Sequence, residues 1–190
     1  MLDNANLHAS DKILTLSNSI SFLRILLIVP TIAALASDNA NLALALMAFA
    51  YITDIADGYV ARKTNTISEF GKALDPVADK LYVAALLIAM ISKELVPIWF
   101  ALLVIGKDAI TMIGAVLARK KIHAVLPSNV WGKAAVLATI ITLFLAVRGV
   151  SQDILLFGWL ISTVLIVVAF IIYAIRALQI TKQIPLRTNE

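Results

Sequence analysis

The chain has 190 residues, of which 61% are hydrophobic and only 15% are charged, and its mean hydropathy is +0.94. Soluble domains average about 45–50% apolar and about 25% charged residues, so this composition predicts an integral membrane protein. The formal net charge of +4 does not indicate a nucleic-acid partner, because basic residues of membrane proteins gather in cytoplasmic loops and beside anionic lipid. The absence of cysteine excludes disulfides and thiolate metal sites.

Six apolar segments follow one another along the chain, each close to the roughly 20 residues that a helix needs to cross a bilayer. They are residues 20–36, 42–60, 74–92, 95–117, 130–147 and 154–177. Residues 1–19 are polar and amphipathic, which predicts a surface helix in the headgroup zone and not a signal peptide. We therefore expect an all-α, polytopic membrane protein with six transmembrane helices in one bundle and an N-terminal interfacial helix. Residues 1–190 are expected to form a single domain.

The basic residues are distributed unevenly among the loops. If the N-terminus lies in the cytoplasm, the loops on the opposite side contain only Lys93 and Arg148, and Lys107 lies within a span. All other Lys and Arg residues are then cytoplasmic, as the positive-inside rule requires. We therefore expect a protein of the cell inner or plasma membrane, with both termini and any site at the cytoplasmic helix ends facing the cytoplasm.

Four aspartates interrupt the apolar pattern near the cytoplasmic ends of the second and third spans: Asp54, Asp57, Asp75 and Asp79. An ionised Asp at the centre of a membrane helix costs roughly 2.5–3.5 kcal/mol on insertion scales, so these residues should face an interior that neutralises them. Within each pair the spacing of three or four residues gives a shared helix face. Two antiparallel helices joined through residues 63–70 would bring both faces together. An all-oxygen pocket of this kind suits Mg²⁺ or Mn²⁺.

Small and basic residues accompany the aspartates. Gly58 and Ala61 share the face of the first pair, and Gly71 lies at the entry to the third span. Such residues allow either tight helix packing or the close approach of a bulky ligand. Arg62 adds a planar guanidinium suited to phosphate. Carboxylates, a metal ion, an arginine and space together predict a site for a metal-bound diphosphate.

Each of these features also has a simpler interpretation. A single Asp near a helix end is usually a cap or an interface residue, Gly58 and Ala61 could be a packing face, and Arg62 could be a membrane anchor. Intramembrane carboxylates also occur in cation transporters, and a structural bundle could have a basic cytoplasmic face. Neither of these protein classes explains why the small residues and Arg62 stand in register with the aspartates. We therefore favour an enzyme over a cation transporter or a structural bundle.

The aspartates and their neighbours resemble the signature of the CDP-alcohol phosphatidyltransferases without a gap or a substitution. The matching residues read Asp54-x2-Asp57-Gly58-x2-Ala61-Arg62-x8-Gly71-x3-Asp75-x3-Asp79. Members of this family transfer a phosphatidyl group from a CDP-linked lipid to an alcohol and release CMP. The resemblance implies a phospholipid-synthesising enzyme with a six-helix membrane layout.

The resemblance also implies roles for these residues. A pair of divalent ions, Mg²⁺ or Mn²⁺, would be held by the four aspartates: Asp54, Asp57, Asp75 and Asp79. Asp79 would in addition act as the general base on the acceptor hydroxyl. The CDP moiety would be bound by six residues of the signature: Asp54, Asp57, Gly58, Ala61, Arg62 and Gly71.

Other parts of the sequence indicate which alcohol accepts the phosphatidyl group. Residues 18–24 and 74–80 resemble the branch that contains phosphatidylglycerophosphate and cardiolipin synthases, whereas Lys107-Asp108 stands where the former usually have Arg-Glu. We expect sn-glycerol 3-phosphate as the acceptor, with phosphatidylglycerol as the alternative and inositol phosphate or serine as further ones. Lys107, Arg119 and Lys133 are the expected contacts of the acceptor.

Lys107 has an alternative role as a structural ion pair. Asp108 is next to it in the sequence but points about 100° away around the helix, so the predicted partner of such a pair comes from a neighbouring helix. The expected partners of the whole protein are CDP-diacylglycerol, the alcohol, the lipid bilayer and a second copy of the chain in a homodimer.

Overall fold

The computed structural model describes the backbone of residues 16–64, 69–122 and 130–183, and the side chains of residues 19–55, 76–114 and 130–176. These parts of the chain are helical and contain no strand, which confirms the predicted all-α class. The helices are α1 (Leu16–Ala36), α2 (Ala40–Thr64), α3 (Glu69–Ser92), α4 (Ile98–Ile122), α5 (Val130–Arg148) and α6 (Gln152–Gln183). Each overlaps one of the six predicted apolar segments along most of its length.

Several predicted boundaries differ from the structure. Residues 16–19, assigned from the sequence to a surface helix, form the first turn of α1, and residues 1–15 of that predicted helix lie outside the described residues. The predicted link of residues 63–70 is shorter, because α2 continues to Thr64 and α3 already begins at Glu69. Apolar periodicity marks where a helix crosses the lipid, whereas the helix itself continues into polar sequence.

Tight turns of one kind end α1, α3 and α5. The chain passes there through one residue with a positive φ, namely Asp38 (57°), Glu94 (57°) and Gly149 (75°). The turn after α5 shows the pattern: the Gly149 N–H donates to the Ala146 carbonyl (3.1 Å) and the Val150 N–H to the Leu145 carbonyl (3.3 Å). This is the Schellman arrangement, which satisfies the last carbonyls of a helix.

The turn after α3 explains why α4 begins later than the predicted position 95. The Leu95 N–H donates to the Met90 carbonyl at 2.9 Å and so closes α3. Pro97 then disfavours a helical conformation of Val96. The first residue of α4 is therefore Ile98.

The chain divides into two compact units, Met1–Pro97 and Ile98–Glu190. In the first unit α1 packs against both α2 and α3. The buried residues of α2 and α3 recur every three or four positions, as a packed helix face requires: Ala43, Met47 and Ala50 on α2, and Ala78, Tyr82 and Leu86 on α3. Away from the aspartates, the Thr31 hydroxyl donates to the Leu27 carbonyl (2.7 Å) and lies 3.3 Å from the Tyr82 hydroxyl.

In the second unit α6 packs against α4 and α5. The Phe100 and Trp159 rings lie with their centroids 4.6 Å apart, and both side chains are buried. Gly158 faces Thr142 so closely that a Cβ at position 158 would lie 2.7 Å from the Thr142 methyl carbon. The Thr142 hydroxyl lies 3.3 Å from the Ser162 hydroxyl. This interior is therefore held by aromatic packing, a close helix approach and neutral polar contacts.

Within the described residues, three helices contain stretches long and apolar enough to cross a membrane: Ser19–Ala36, Val130–Arg148 and Gln152–Arg176. A shorter apolar stretch covers Ala40–Ile55 in α2. These stretches identify a membrane protein. Six crossings, one bundle and a single domain over residues 1–190 stay predictions.

Candidate active site

One face of α1 is polar although it is buried. Ser21, Arg24 and Thr31 are 0%, 2% and 1% exposed, and Leu27 and Ala34 continue the same face. A spacing of three or four residues places them on one side of the helix, and α1 packs against α2 and α3. The interior of the first unit thus contains a guanidinium, and a buried charge needs a compensating charge beside it.

Two aspartates supply that charge. The Arg24 Nη2 atom lies 2.9 Å from Oδ1 of Asp54 on α2, and its Nη1 atom lies 3.8 Å from Oδ1 of Asp79 on α3. The arginine side chain is 2% exposed, whereas those of Asp54 and Asp79 are 47% and 49% exposed. Arg24 therefore covers the inner side of both carboxylates and leaves much of their surface open.

The packing of the first unit explains why these three side chains meet. Asp54 follows Ala50 by one helical turn on the buried face of α2, and Asp79 directly follows the fully buried Ala78 on α3. Both aspartates lie toward the same ends of their helices as the rest of the signature. Arg24 reaches them from α1, because its long side chain and planar fork can contact two carboxylates at once.

The remaining signature residues are placed by their backbones alone. Asp57, Gly58, Ala61 and Arg62 lie in the last third of α2, and Gly71 and Asp75 lie in the first two turns of α3. Their side chains are outside the part of the chain for which side chains are described. The structure therefore brings together Asp54 and Asp79 of the four predicted metal ligands, and the convergence of the other two stays a prediction.

Among the described residues, no group of three or more acidic or histidine side chains is placed to hold a metal ion, and Asp54 and Asp79 are the two predicted ligands whose side chains are described. Asp54 and Asp79 offer oxygen ligands, which Mg²⁺ and Mn²⁺ prefer. Both carboxylates are about half exposed. A cation can therefore approach from the side that Arg24 does not cover.

The predicted partner of Lys107 is wrong. Its Nζ atom lies 2.6 Å from Oδ1 of Asp108, the neighbouring residue on α4, and not against a neighbouring helix. The long, flexible lysine side chain can bend through the angle that separates two consecutive helical positions. Lys107 and Asp108 are 26% and 19% exposed, so pairing stabilises two partly buried charges. This ion pair is the structural alternative to acceptor binding.

The other two predicted acceptor contacts differ in what the structure describes. Lys133 lies in the first turn of α5 and is exposed. Arg119 lies near the end of α4, and its side chain is outside the described residues. Lys133 is therefore the predicted acceptor contact whose accessibility the structure supports.

Sequence reasoning missed Arg24 as a site residue. It was grouped with the cytoplasmic basic residues, although it lies within the first predicted span and in the stretch 18–24. The available signal was an arginine one helical turn inside an apolar segment, since an intramembrane charge requires a partner. The signature contains four acidic candidates for that partner, and among the described side chains Arg24 contacts Asp54 and Asp79.

Comparison with known proteins adds an independent finding. Residues 14–173 match the sequence profile of a family described as CDP-alcohol phosphatidyltransferase. The matched region includes Arg24, all four aspartates and the predicted acceptor residues. It therefore covers most of the chain and every element of the candidate site.

Individual relatives carry two kinds of name. The chain is 31% identical over 134 residues to a CMP-forming cardiolipin synthase of Streptomyces coelicolor, across 66% of this chain and 61% of the relative. It is 42% identical over 97 residues to a CDP-diacylglycerol–glycerol-3-phosphate 3-phosphatidyltransferase of Bacillus subtilis, across 50% of this chain and 49% of the relative. A putative cardiolipin synthase of Mycobacterium bovis is 29% identical over 184 residues, 92% of this chain and 88% of the relative. The first two matches thus span about half to three-fifths of those relatives.

Proposed function

Since the chain belongs to the CDP-alcohol phosphatidyltransferase family, we propose that it transfers a phosphatidyl group from CDP-diacylglycerol to an alcohol and releases CMP. The observation that carries the proposal is the joint contact of Asp54 and Asp79 with Arg24, because it brings the first and last aspartates of the signature to one place. The reaction would contribute to phospholipid synthesis in the membrane that contains the protein.

The proposed cofactor is a pair of divalent ions, Mg²⁺ or Mn²⁺. The residues that would hold them are the four aspartates: Asp54, Asp57, Asp75 and Asp79. When bound, such ions neutralise the diphosphate oxygens and stabilise the CMP leaving group. The proposal is supported by the oxygen ligands and the half-exposed carboxylates of Asp54 and Asp79.

Asp79 is the proposed general base. An alcohol is a weak nucleophile until its proton is removed, and a carboxylate within reach can accept that proton. The alcohol oxygen then forms a bond to the phosphorus that bears the diacylglycerol, while the bond from that phosphorus to the CMP oxygen breaks. The exposed half of the Asp79 carboxylate gives the hydroxyl access to it.

The proposed CDP pocket lies along α2 and the start of α3. Gly58, Ala61 and Gly71 would leave room for the nucleotide, since they carry little or no side chain. Arg62 would contact the diphosphate through its guanidinium fork. Asp54 and Asp57 would contribute to the same pocket through the ions that they hold.

The proposed acceptor is sn-glycerol 3-phosphate, and the product is phosphatidylglycerophosphate. The name and 42% identity of the Bacillus subtilis relative support this acceptor. So does the exposure of Lys133, because a compact dianionic phosphate needs accessible cations. Lys107 contributes less than the sequence predicted, because it already pairs with Asp108.

Phosphatidylglycerol is a second candidate acceptor, and it would make the product cardiolipin. The relative named cardiolipin synthase aligns over 66% of this chain, and the relative named putative cardiolipin synthase aligns over 92%. Both shares are larger than the 50% of the Bacillus subtilis relative. The Lys107-Asp108 sequence also favours this acceptor, because phosphatidylglycerophosphate synthases usually have Arg-Glu at these two positions. This acceptor has a singly charged phosphodiester and two acyl chains, so it depends less on Lys133 than glycerol 3-phosphate does.

The positive-inside distribution supports an active site and both termini on the cytoplasmic side of the membrane. The water-soluble acceptor would then reach the site directly. A homodimer stays a prediction from the sequence.

An acceptor panel tests the proposed function. The purified full chain would be given CDP-diacylglycerol and Mn²⁺ with glycerol 3-phosphate, phosphatidylglycerol, inositol phosphate or serine, and both CMP and the lipid product would be identified. We expect glycerol 3-phosphate to give CMP and phosphatidylglycerophosphate. Cardiolipin formation with glycerol 3-phosphate inert would change the acceptor and keep the chemistry. No CMP with any acceptor, together with cation flux across vesicles, would favour the transporter.

A further inference from the structure

Arg24 is a charged group of the site that the proposed chemistry does not use. We propose that Arg24 is a built-in counter-ion, which keeps Asp54 and Asp79 together before a divalent ion binds and limits the affinity for that ion. The inference rests on the proposed metal-dependent function, since it assigns a role to Arg24 within the same acidic site.

The burial of Arg24 argues against direct contact with a substrate. Its side chain is 2% exposed, so a phosphate has almost no surface of the guanidinium to bind. Among the described side chains, no acceptor has hydrogen-bond geometry with the Nε or Nη2 atom of Arg24. The contact of Nη2 with Asp54 is an ion pair. Arg24 therefore acts through the carboxylates, as a positioning residue.

The geometry explains why the site needs such a residue. Asp54 on α2 and Asp79 on α3 both approach one guanidinium on α1, at 2.9 and 3.8 Å. Without it, two like charges would lie close together, and their repulsion would oppose the packing of α2 and α3 against α1. One cation on the inner side thus stabilises the packing of three helices while the outer side stays open.

The sign of the effect on metal binding follows from the charges. Arg24 and a divalent ion are both positive and share the same two carboxylates, so each weakens the binding of the other. Removing the charge of Arg24 should therefore destabilise the metal-free protein and strengthen metal binding. A residue that only fills space would give neither the second effect nor its dependence on charge.

The test compares Arg24→Met, which removes the charge, with Arg24→Lys, which retains it, in the detergent-solubilised full chain. Arg148→Met at the end of α5 serves as the control for loss of one arginine. Two quantities are measured: the thermal unfolding midpoint with chelator and with saturating Mn²⁺, and the Mn²⁺ dissociation constant from the electron paramagnetic resonance signal of free Mn²⁺.

For Arg24→Met we expect a lower midpoint in chelator, a larger upward shift on adding Mn²⁺ than in the unsubstituted protein, and Mn²⁺ binding about tenfold tighter. Arg24→Lys should fall between the two, and Arg148→Met should leave the Mn²⁺ dissociation constant unchanged. An equal loss of stability with and without Mn²⁺, or weaker Mn²⁺ binding, would overturn the inference.

A second variant covers the case in which Arg24→Met does not fold in chelator. Adding Asp54→Asn removes one of the two repelling charges, so Arg24→Met with Asp54→Asn should be more stable in chelator than Arg24→Met alone. If the added substitution gives no recovery, the counter-ion role is wrong. If the unsubstituted protein itself binds no Mn²⁺, the proposed metal-dependent function fails instead.

Discussion

The two units of the chain are each built from three helices, but their interiors are held together by different interactions. In the first unit a buried arginine on α1 contacts aspartates on α2 and α3. In the second unit, α6 packs through the Phe100–Trp159 ring contact, the close approach of Gly158 to Thr142 and the Thr142–Ser162 hydroxyl pair. The first interior is ionic, whereas these contacts of the second are apolar or neutral.

This difference indicates where the chemistry resides. A buried ion pair is a poor source of stability, because desolvation of the charges offsets their attraction. Asp54 and Asp79 contact Arg24 and are still about half exposed, whereas Lys107 and Asp108 of the second unit pair with each other and are 26% and 19% exposed. We therefore propose that catalysis uses the carboxylates of the first unit, and we expect substitutions in the two interiors to separate activity from stability.

The largest expected effect is on turnover. Asp79→Asn retains the size of the side chain but cannot accept the alcohol proton, so turnover should fall by about 10²–10⁴-fold. The rate of CMP release from CDP-diacylglycerol measures this loss.

Asp38→Asn is the matched control within the same unit. Asp38 is 83% exposed, pairs with Lys93 and has a positive φ that asparagine also tolerates. We expect this variant to keep normal turnover. If Asp79→Asn kept more than about a tenth of the activity, another base would be required.

A smaller effect is expected at Lys133, an exposed cation of the second unit. Lys133→Ala should raise KM for glycerol 3-phosphate by about 10–100-fold, the loss of one charge-assisted hydrogen bond. The affinity for CDP-diacylglycerol should stay nearly unchanged. Lys93→Ala, which removes a surface lysine of the first unit, is the control. An unchanged KM would remove Lys133 from the acceptor site.

Gly158→Ala should affect stability and leave catalysis intact. The new Cβ would lie 2.7 Å from the methyl carbon and 2.8 Å from the hydroxyl of Thr142, and overpacking of this kind costs about 1–3 kcal/mol. Thermal unfolding in detergent measures the loss, and Thr142→Ala in the same chain should recover part of it.

Gly106→Ala is the control for the exchange of glycine for alanine in a helix, since nothing lies within 4 Å of its added Cβ. It should be neutral or slightly stabilising. A similar loss of stability in both glycine variants would mean that the contact between position 158 and Thr142 does not cause the loss.

The smallest effect is expected for Ser162→Ala. This residue is fully buried, and its hydroxyl lies 3.3 Å from that of Thr142. Loss of one neutral hydrogen bond destabilises by about 0.5–1.5 kcal/mol, which thermal unfolding can detect. Ser92→Ala is the control, because the Ser92 hydroxyl is exposed and bonds to a carbonyl of its own helix. It should leave the thermal unfolding midpoint nearly unchanged. Reduced turnover in Ser162→Ala would contradict the division between the two units.

The sequence was sufficient for the helical class and for the signature, because both depend on local spacing. Apolar segments of membrane length and aspartates at i, i+3 and i+4 are visible without knowledge of the packing. The partner of Arg24 was not visible, because three helices from separate parts of the sequence must pack before its guanidinium meets Asp54 and Asp79.

The prediction for Lys107 was wrong for a different reason. Helical geometry suggested that Asp108 points away, and the flexibility of the lysine side chain outweighed that geometry. The acceptor is also beyond the sequence, because the relatives that the chain matches carry names of both kinds. We propose that its identity depends on side chains outside the signature, such as Lys133, whose spatial arrangement no local spacing encodes.

The metal requirement tests the central claim most directly. CMP release from CDP-diacylglycerol and glycerol 3-phosphate would be measured on the purified full chain before chelation, after exhaustive chelation, and after Mg²⁺ or Mn²⁺ is restored. An acidic site that acts through divalent ions predicts that release falls to background on chelation and recovers with either ion, in the unsubstituted protein and in Asp38→Asn alike. Undiminished CMP release after exhaustive chelation would contradict it.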